Sequence, residues 1–599
     1  QKTAYEMLRS LVGSEMCIRD SALALRRRAL ATLLVLVGAA AVTAGVSWDP
    51  VGERGAGRVI FEEYHPSGDK DWEPTRRPFD TTWYGHQSGY NYYCMYDYCS
   101  RFYHVSRSTR PLDDQILADC DVLVIKVPTR RLAMEEIECV HRFVANGGGL
   151  LLIGEHTDVF GVGRNLNALC EAFGFRFRYD CLFGIDTVFE QQYKTPWVPH
   201  PVVQHVGWFD FATSCSIDPG WSWGRAVIRA VGLKSLPADY HADNYYPQPV
   251  DSAEMRYGAF VQLWSTRYGN GRVLAFTDST IFSNFCTFEP GKIELLLGMI
   301  EWLNHRTSLP DPLVWLGPLG LLVLTVGLWA GWAWRGAWVT LAAAAVAGWA
   351  VAAMAIRAEH ARTMPPPSPR SDAPPLIRVV MDRTVCDVPL PKNGFIAGRE
   401  DQFGIFERWI LRLGYFTARR SGQAALDADL LIFLQPNRPI SQEFLERLVR
   451  YVADGGKILI LAYPPARAAA GAQCEDRRGE GPYEANNLTA ADLAAPFGIT
   501  VGPALALGPS LTADHGWPEI PATSPAFVVQ GGRAFAWQGG QPVGATARYG
   551  QGTVTVVGFA ARFTDLNMGV TGDVVPDQKL KRVYQWQFSL LRSIVEEKL

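Results

Sequence analysis

The sequence has little net charge and no long basic run. Its 57 Lys and Arg residues and 60 Asp and Glu residues give a formal net charge of −3. The longest basic run is the three arginines at positions 26–28. Because a protein that binds nucleic acid needs a basic surface to neutralise phosphates, we expect no nucleic-acid partner.

The sequence also lacks the motifs of two large enzyme classes. It contains neither H-E-x-x-H, which places two zinc-binding histidines on one helix face, nor the phosphate-binding P-loop. These absences exclude zinc proteases of that type and P-loop nucleotide hydrolases. At 599 residues, the chain is too long for one ordinary domain.

Three stretches lack charged residues altogether, and each is about 20 residues long, which is enough to cross a bilayer. They are residues 29–48, 313–333 and 337–356. We interpret 22–48 as a signal anchor, with a cleaved signal peptide as the alternative. We interpret 312–356 as a transmembrane helical hairpin.

The hairpin returns the chain to the side that it left, so the segments 49–308 and 376–599 share a compartment. The arginines at 26–28 favour a cytoplasmic start of the first span, which exports both segments. By the rule that positive residues stay in the cytoplasm, Arg357 and Arg362 on the exported side, against Arg335 alone inside, argue against this orientation. Large flanking domains weaken that rule. We therefore expect two extracytoplasmic domains, with a Pro-rich linker at 357–375.

Cysteine is unevenly distributed. Of the eleven cysteines, eight lie in 49–308 and two in 376–599. Even counts permit disulfides in an oxidising compartment, and buried thiols are the alternative. Cys94 and Cys99 could staple the tip of an aromatic-rich stretch, 83–104, which is typical of a recognition surface or packs its own rings for support.

The first residues have an unusual composition. The stretch SLVGSEMCIRDS at 10–21 resembles the translated product of a transposon-based sequencing-library adapter. We interpret 1–21 as a non-native segment, so Cys17 is not a native cysteine and the native N-terminus is missing.

Four sequence blocks recur in one order in the two soluble segments. They begin at Gly57 and Ile377, Leu117 and Leu426, Asn165 and Asn487, and Thr266 and Ala547. This pattern predicts an internal duplication. In each copy, short apolar runs such as 122–127 and 150–153 alternate with helical patterns such as 134–145. The alternation predicts an α/β fold with a mostly parallel sheet in each domain.

The order of strand, helix, NGGGLLLIG and helix resembles the class I glutamine amidotransferase-like fold. More narrowly, it resembles bacterial membrane proteins related to the gliding-motility ABC-transporter auxiliary component, and intraflagellar-transport domains of the same fold. The resemblance implies two tandem flavodoxin-like, amidotransferase-like domains, a bacterial inner membrane and a partner such as an ABC transporter.

Glutaminase activity does not follow from this resemblance. The turn that would carry the nucleophilic cysteine reads GEHTD at 154–158 in the first copy and AYP at 462–464 in the second. Because neither turn contains a cysteine, the nucleophile is absent.

Polar side chains follow three predicted strands of the first copy. They are Glu62, Glu63 and His65, then Glu155, His156 and Asp158, then Asp278 and Ser279. Because open α/β sheets bind ligands at the carboxyl ends of their strands, we expect these side chains to converge on a ligand site. Their counterparts in the second copy are mostly apolar, which predicts a structural or partner-binding role there: Asp382, Arg383, Ala462, Tyr463, Phe559 and Ala560.

The residue types leave three interpretations of this site open. It is a polar pocket for a sugar, a peptide or a partner loop, or a divalent-metal site, or a set of helix caps that bond to one another. The candidate metal ligands are His65, His156 and Asp278. We expect no cofactor other than such a metal.

The main hypothesis is a non-catalytic, membrane-anchored extracytoplasmic binding or scaffold protein, an auxiliary part of a transporter or envelope complex in contact with the lipid bilayer. The alternative is a hydrolase, with a metal as an option. In that enzyme Glu155 or Asp278 acts as general base, and His156 acts as metal ligand or acid.

Overall fold

The structure, a computed structural model, describes residues 4–66, 74–185, 191–238, 251–332, 334, 336–392, 394, 402–464, 488–514 and 516–599. The helices are α1 (Ala4–Ser47), α2 (His86–Gly89), α3 (Tyr93–Cys99), α4 (Asp114–Leu117), α5 (Met134–Ala145), α6 (Val162–Cys170), α7 (Lys292–Leu303), α8 (Pro312–Gly331), α9 (Ala337–Thr363), α10 (Gly404–Ile410), α11 (Gln442–Ala453), α12 (Leu488–Ala494), α13 (Asp565–Met568) and α14 (Gln578–Val595).

The strands of the first half are β1 (Arg58–Glu62), β2 (His104–Ser108), β3 (Val122–Lys126), β4 (Gly149–Ile153), β5 (Arg176–Phe177), β6 (Asp180–Gly184), β7 (Gln192–Lys194), β8 (Trp208–Asp210), β9 (Ile217–Asp218), β10 (Gly224–Pro237), β11 (Arg256–Tyr268) and β12 (Gly271–Phe276). Those of the second half are β13 (Arg378–Asp382), β14 (Phe416–Arg420), β15 (Leu430–Leu434), β16 (Lys457–Leu461), β17 (Thr500–Leu505), β18 (Ser510–Ala513), β19 (Ile520–Pro521), β20 (Ala526–Gln530), β21 (Arg533–Gln538), β22 (Gln541–Tyr549) and β23 (Gly552–Val557).

Each half is built on one large mixed sheet. The first has the order β2-β1-β3-β4-β12-β11-β10-β6, and the second has the order β14-β13-β15-β16-β23-β22-β21-β18-β19. In the first sheet β2, β1, β3, β4 and β12 are parallel, and β11, β10 and β6 extend it antiparallel. The predicted α/β class is confirmed. The sheets are mixed, however, because β11 and β12 form a hairpin through Gly269 (φ 58°) instead of a helical crossover.

The glycines that end the predicted helix 134–145 have a clear conformational role. Helix α5 covers those same residues, and Gly147 follows it with φ 110°. Gly455 follows α11 in the second half with φ 109°. Residues other than glycine rarely adopt this backbone conformation. The two glycines therefore let the chain leave each helix and enter the next buried strand.

The two halves pack against each other through aromatic residues. The ring of Phe416 lies 4.9 Å from that of Tyr98 and 5.4 Å from that of Phe288, centroid to centroid. Residues of both sheets belong to one continuous cluster of buried apolar side chains. The halves therefore share part of their core.

Three helical segments are long and apolar enough to cross a membrane: Leu23–Ser47, Pro312–Gly331 and Ala337–Thr363. This finding suggests a membrane protein. The third segment continues past residue 356, through the first part of the predicted linker 357–375.

Glycines bring the first apolar helix against the second. A Cβ atom on Gly38 would lie 2.4 Å from the backbone nitrogen of Leu324, and one on Gly320 would lie 2.5 Å from that of Val42. Small residues allow this close backbone approach, which is typical of helix pairs in lipid. At the start of this bundle, the Arg28 guanidinium lies 5.1 Å from the ring centroid of Trp334, in the turn between α8 and α9.

A buried carboxylate connects this helix bundle to the first sheet. Asp49, two residues after α1, accepts hydrogen bonds from Arg267 Nη2 (2.5 Å) on β11 and from Trp302 Nε1 on α7. His200 Nε2 lies 3.3 Å from Asp49 Oδ2. The backbone N–H of Asp49 donates to His360 Nε2 on α9 (3.2 Å). Burial raises the pKa of Asp49, but the bond from His200 and the charges of His200 and Arg267 hold that pKa well below its usual range.

A second cation closes the same junction. Arg225, at the start of β10, donates to the carbonyl oxygens of Trp48 (2.6 Å) and Gly45 (3.1 Å) and pairs with Asp311 (2.5 Å), which caps α8. These contacts place the starts of the parallel strands near the ends of the apolar helices. The carboxyl ends of the strands, where the predicted site lies, form the opposite edge of the sheet.

The described cysteines are buried free thiols, with none in a disulfide: Cys94, Cys99, Cys120, Cys139, Cys170, Cys181, Cys215, Cys286 and Cys386. The staple between Cys94 and Cys99 does not form, since both residues lie on α3 and pack into the core. The alternative interpretation of the cysteine pattern, buried thiols, therefore holds for the described cysteines.

Asp49→Ala is expected to lower the free energy of unfolding of the full chain by about 3–5 kcal/mol, because it leaves buried donors and a cation without their acceptor. Thermal and denaturant unfolding in detergent micelles measures the loss. Asp114→Ala is the control, since that side chain is exposed and its pair with Arg142 is worth at most about 1 kcal/mol. Equal losses in the two variants would contradict a structural role for the junction.

Candidate functional site

All eight predicted site residues of the first half are buried. They are Glu62, Glu63, His65, Glu155, His156, Asp158, Asp278 and Ser279. As expected, Glu62 ends β1, Glu155 follows β4, and Asp278 follows β12. Because these strands are parallel neighbours in the order β1-β3-β4-β12, the three positions lie along one edge of the sheet.

Glu155 binds three hydroxyl groups. Its Oε2 atom accepts from Ser279 Oγ (2.7 Å) and Thr280 Oγ1 (3.0 Å), and its Oε1 atom accepts from Thr213 Oγ1 (2.9 Å). Ser279 Oγ also lies 2.9 Å from the hydroxyl oxygen of Tyr92, which belongs to the aromatic-rich stretch. The structure therefore brings Glu155 and Ser279 together in a hydrogen-bonded network.

Asp278 bonds to backbone N–H groups. Its Oδ2 atom accepts from the nitrogens of Ala212 (2.7 Å) and Thr213 (3.1 Å), and Oδ1 accepts from that of Ile281 (3.3 Å). Burial, together with the charge of Glu155, raises the pKa of Asp278 well above its usual value. Thr213 contacts both carboxylates, so Asp278 and Glu155 lie in one polar layer.

Glu62 and His65 form a second group at this edge. His65 Nδ1 lies 3.0 Å from Glu62 Oε1, and His65 Nε2 lies 3.2 Å from Glu136 Oε2 on α5. Burial lowers the pKa of His65, but its contacts with Glu62 and Glu136 outweigh burial and raise that pKa. Glu63 accepts a hydrogen bond from Thr75 Oγ1. The carboxylates of Glu62 and Glu63 therefore each accept hydrogen bonds from other residues of the fold.

Lys126 lies between the two groups. It ends β3, and its buried Nζ atom is 4.3 Å from the centroid of the Tyr92 ring. Burial lowers the pKa of Lys126 to about 8, against the opposing charges of Glu63 and Glu62. The sheet order reverses between β1 and β3, which is where open α/β sheets bind ligands. In this chain the Tyr92 ring packs on Lys126, on the β3 side of that place.

His156 contacts the next residue in the loop after β4, and Asp158 contacts Arg164 at the start of helix α6. His156 Nδ1 lies 2.8 Å from Thr157 Oγ1, and Asp158 pairs with Arg164 (2.9 Å) and accepts from its backbone nitrogen. Thr157, Asp158 and Phe160 have φ values of 52–54°, a strained conformation for residues other than glycine.

No three His, Cys, Asp or Glu side chains of the described residues are grouped so that they could hold a metal ion. The candidate ligands His65 and His156 bond to different partners, Glu62 and Thr157. The geometry of the described chain therefore favours a hydrogen-bonded polar layer over a metal centre.

The aromatic-rich stretch covers this layer and is held by the second half. Arg412, which follows α10, donates to the carbonyl oxygens of Asp80 (2.8 Å) and Trp83. Its guanidinium lies 4.1 Å from the Phe79 ring centroid and 4.3 Å from that of Tyr84. We name residues 74–103 the insertion; it lies between the site and the second half.

Sequence reasoning missed several of these residues. Lys126 is hidden in an apolar strand, and Tyr92 and Arg412 come to the site from distant segments. The serine-hydrolase pattern G-x-S-x-G was also missed; it occurs at 220–224. Ser222 Oγ donates to the carbonyl oxygen of Pro219 (2.7 Å), and the segment leads into strand β10. A nucleophile elbow leads from a strand into a helix instead.

The second half keeps the strand ends but not the polar layer. Asp382 accepts from the backbone nitrogens of Thr384 and Val385, as Glu62 does from those of Tyr64 and His65. Ala462, Phe559 and Ala560 are buried and apolar, and Arg383 donates to the carbonyl of Val388.

Lys126→Met is expected to change the pH dependence of stability. The folded chain releases the Lys126 proton near pH 8, and the unfolded chain keeps it to about pH 10.4. The unfolded state thus binds more protons in this window, so the stability of the wild type relative to Lys126→Met rises with pH from about 8 to 10.4. Denaturant unfolding at several pH values measures the difference, and parallel curves would show that the lysine titrates normally.

Phe160→Gly is expected to be more stable than Phe160→Ala by about 1 kcal/mol, because glycine has no Cβ to strain at positive φ. Phe160 is 70% exposed, so both variants lose little packing. Glu138, exposed in the middle of α5, is the control position. There the glycine variant is expected to be less stable than the alanine variant by about 1 kcal/mol. The same order at both positions would contradict strain at Phe160.

Comparison with known proteins gives a partial match. A family model described as a domain of unknown function (DUF4350) matches residues 99–300; it is not a glutamine amidotransferase model. No curated protein matches the chain.

Several solved structures show distant similarity. They include the mmIFT52 N-terminal domain (11% identity, 41% of this chain and 96% of that chain, TM-score 0.30), an exo-beta-1,4-mannosidase from Opitutaceae bacterium strain TAV5 (15%, 41% and 39%, 0.25) and a cytoplasmic protein from Salmonella typhimurium (15%, 42% and 99%, 0.24). Over residues 99–300 the chain is similar to a family of unknown function.

Proposed function

We propose that the chain is a non-catalytic binding or scaffold protein anchored in a bacterial inner membrane, with both soluble halves on the extracytoplasmic side. The observation that carries this proposal is the closure of the polar layer. All eight predicted site residues are buried, and Tyr92 packs on Lys126 at the end of β3 and bonds with Ser279 after β12. Among the described residues both carboxyl groups of the layer are enclosed, since Glu155 is 6% exposed and Asp278 is 0% exposed.

The fold supports two tandem amidotransferase-like domains. The five parallel strands of the first sheet follow the order 2-1-3-4-5, which is the flavodoxin-like order, and the second sheet repeats it. Val127 (φ 41°) and Gln435 (φ 43°) follow corresponding strands with the same unusual backbone conformation. Internal duplication is the simplest account of this agreement.

The contacts of the apolar helices support the proposed topology. Arg28 and Trp334 lie together at one end of the bundle, and Asp49 and His360 lie together at the other. The hairpin turn is therefore on the side of the arginines at 26–28, which the positive-inside rule places in the cytoplasm. The close packing of α1 on α8 favours a retained anchor over a cleaved signal peptide.

A partner in the membrane follows from the family resemblance. The proteins that the sequence resembles are related to an auxiliary component of an ABC transporter, so we propose a membrane-protein complex of that kind as the partner. The buried polar layer then stiffens the first half and orients the insertion between the halves, and the outer surface of the second half is available for the partner.

A second candidate function rests on one specific observation. Glu155 and Asp278 are neighbouring carboxyl groups, and the pKa of Asp278 is raised, as in general acids of hydrolases. This hydrolase would need the insertion to open. Glutaminase chemistry is not proposed, because the loop after β4 contains no cysteine.

Glu155→Gln and Asp278→Asn distinguish the two functions. Each variant is expressed as the full chain in the source bacterium after deletion of its own copy. If the chain is a scaffold, both variants restore the wild-type phenotype, and after cross-linking in the membrane both migrate on native gels in the same assembly, larger than the chain alone.

Asp382→Asn is the matched control, because it alters the corresponding buried carboxylate in the second half. Protein level and melting temperature are measured for all three variants. Loss of rescue by Glu155→Gln at normal level and stability would favour the hydrolase. A wild-type chain that migrates alone would contradict the scaffold.

A further inference from the structure

Three tryptophan side chains of the first half are strongly exposed. Trp221 is 99% exposed, Trp223 is 66% exposed, and Trp197 is 63% exposed. Exposing a large apolar ring to water is unfavourable, and groups of such rings mark interaction surfaces. Trp221 and Trp223 flank Ser222 in the turn before β10, so this turn presents two rings at one tip.

The chain places these rings beside the ends of the apolar helices. Arg225, two residues after Trp223, bonds to the carbonyl oxygens of Gly45 and Trp48 at the end of α1. Arg357 on α9 donates to the carbonyl oxygen of Trp197 (3.4 Å), and its guanidinium lies 5.7 Å from the Trp197 ring centroid.

The neighbouring strand confirms this placement. Thr266 Oγ1 donates to the carbonyl oxygen of Trp223 (3.3 Å), and Arg267, the next residue, donates to that of Leu309 just before α8. Trp315, in the first turn of α8, is 42% exposed at the same level. Trp197, Trp221 and Trp223 therefore lie beside the ends of the three apolar helices.

We propose that Trp197, Trp221 and Trp223 form a membrane-binding rim that inserts into the headgroup region of the bilayer on the side of the soluble halves. Indole rings favour this region because their apolar body enters the lipid while the N–H group remains hydrated. The rim fixes the first sheet with its strand starts toward the lipid. The polar layer and the insertion then face away from the membrane. This inference rests on the proposed membrane anchoring.

A site-specific fluorescence experiment tests the rim. Trp221→Cys is made in the full chain with Cys17→Ser and Cys474→Ser, since the other nine cysteines are buried. The new thiol is labelled with an environment-sensitive dye, and the protein is reconstituted into vesicles of phosphatidylethanolamine and phosphatidylglycerol. Lipids with a nitroxide near the headgroup end of the acyl chain then quench a dye that reaches the interface.

Because an interfacial side chain lies within the depth of such a quencher, the dye at position 221 is expected to lose about half of its emission. Trp197→Cys is expected to behave in the same way. Val231→Cys is the matched control: it lies on the same strand, β10, and is 74% exposed, and its dye is expected to keep its emission.

A dye at Leu33→Cys separates this inference from the proposed anchoring. Leu33 is 55% exposed in the middle of the first apolar helix, so its dye is tested with lipids that carry the nitroxide near the methyl end of the acyl chain. Quenching at 33 without quenching at 221 would leave the anchor intact and overturn the rim. No quenching at either position would overturn the anchoring itself.

Two other results would also overturn the rim. Equal quenching at 221 and 231 would mean that the half lies on the lipid without a defined orientation. A dye at 221 that responds to the density of protein in the vesicles, but not to the quencher, would assign the tryptophans to a contact between two copies of the chain.

Discussion

The buried carboxylate of Asp49 sets the orientation of the whole first half. A charge removed from water needs partners in fixed positions, and the Asp49 carboxylate takes them from β11 through Arg267, from α7 through Trp302 and from the loop between β7 and β8 through His200. The backbone N–H of Asp49 also donates to His360 on α9. Moving any of these elements alone would leave a buried charge or donor unpaired. The constraint therefore keeps the apolar helices at the edge of the sheet where the parallel strands begin, and it leaves the carboxyl ends of the strands at the distant edge.

That distant edge is closed by long-range contacts. The insertion packs on the end of β3 through the contact of Tyr92 with Lys126, and the second half holds the insertion through Arg412. Burial lowers the pKa of Arg412 to about 10, yet backbone carbonyls and aromatic faces compensate the cation there. Because the layer below is bonded internally, from Glu155 through Ser279 to Tyr92, displacing the insertion would break several buried bonds together. Such cooperativity fits a rigid surface better than a catalytic cleft.

The local parts of this architecture could be predicted from the sequence, and the contacts between distant parts could not. The helix predicted at 134–145 and the strand within 122–127 form as expected, because amphipathic spacing and continuous apolar runs act over a few residues. The positions of Glu62, Glu155 and Asp278 at strand ends followed from the same patterns. The contact of Tyr92 with Lys126 did not, since nothing near residue 92 signals a partner on β3. The mixed sheet was missed because a two-residue turn at Gly269 replaces a crossover.

The two halves together show which buried charges the fold itself does not need. Lys126 ends β3, and Leu434 ends the corresponding β15; Asp278 follows β12, and the buried Phe559 follows β23. The second sheet keeps the same strand order with apolar residues at these positions, so the parallel sheet is compatible with either choice. A buried lysine and buried carboxylates are costly unless they are paired. In the first half the insertion packs on these groups, because its Tyr92 contacts both Lys126 and Ser279. The polar layer is therefore best understood as the surface that fixes the insertion in place.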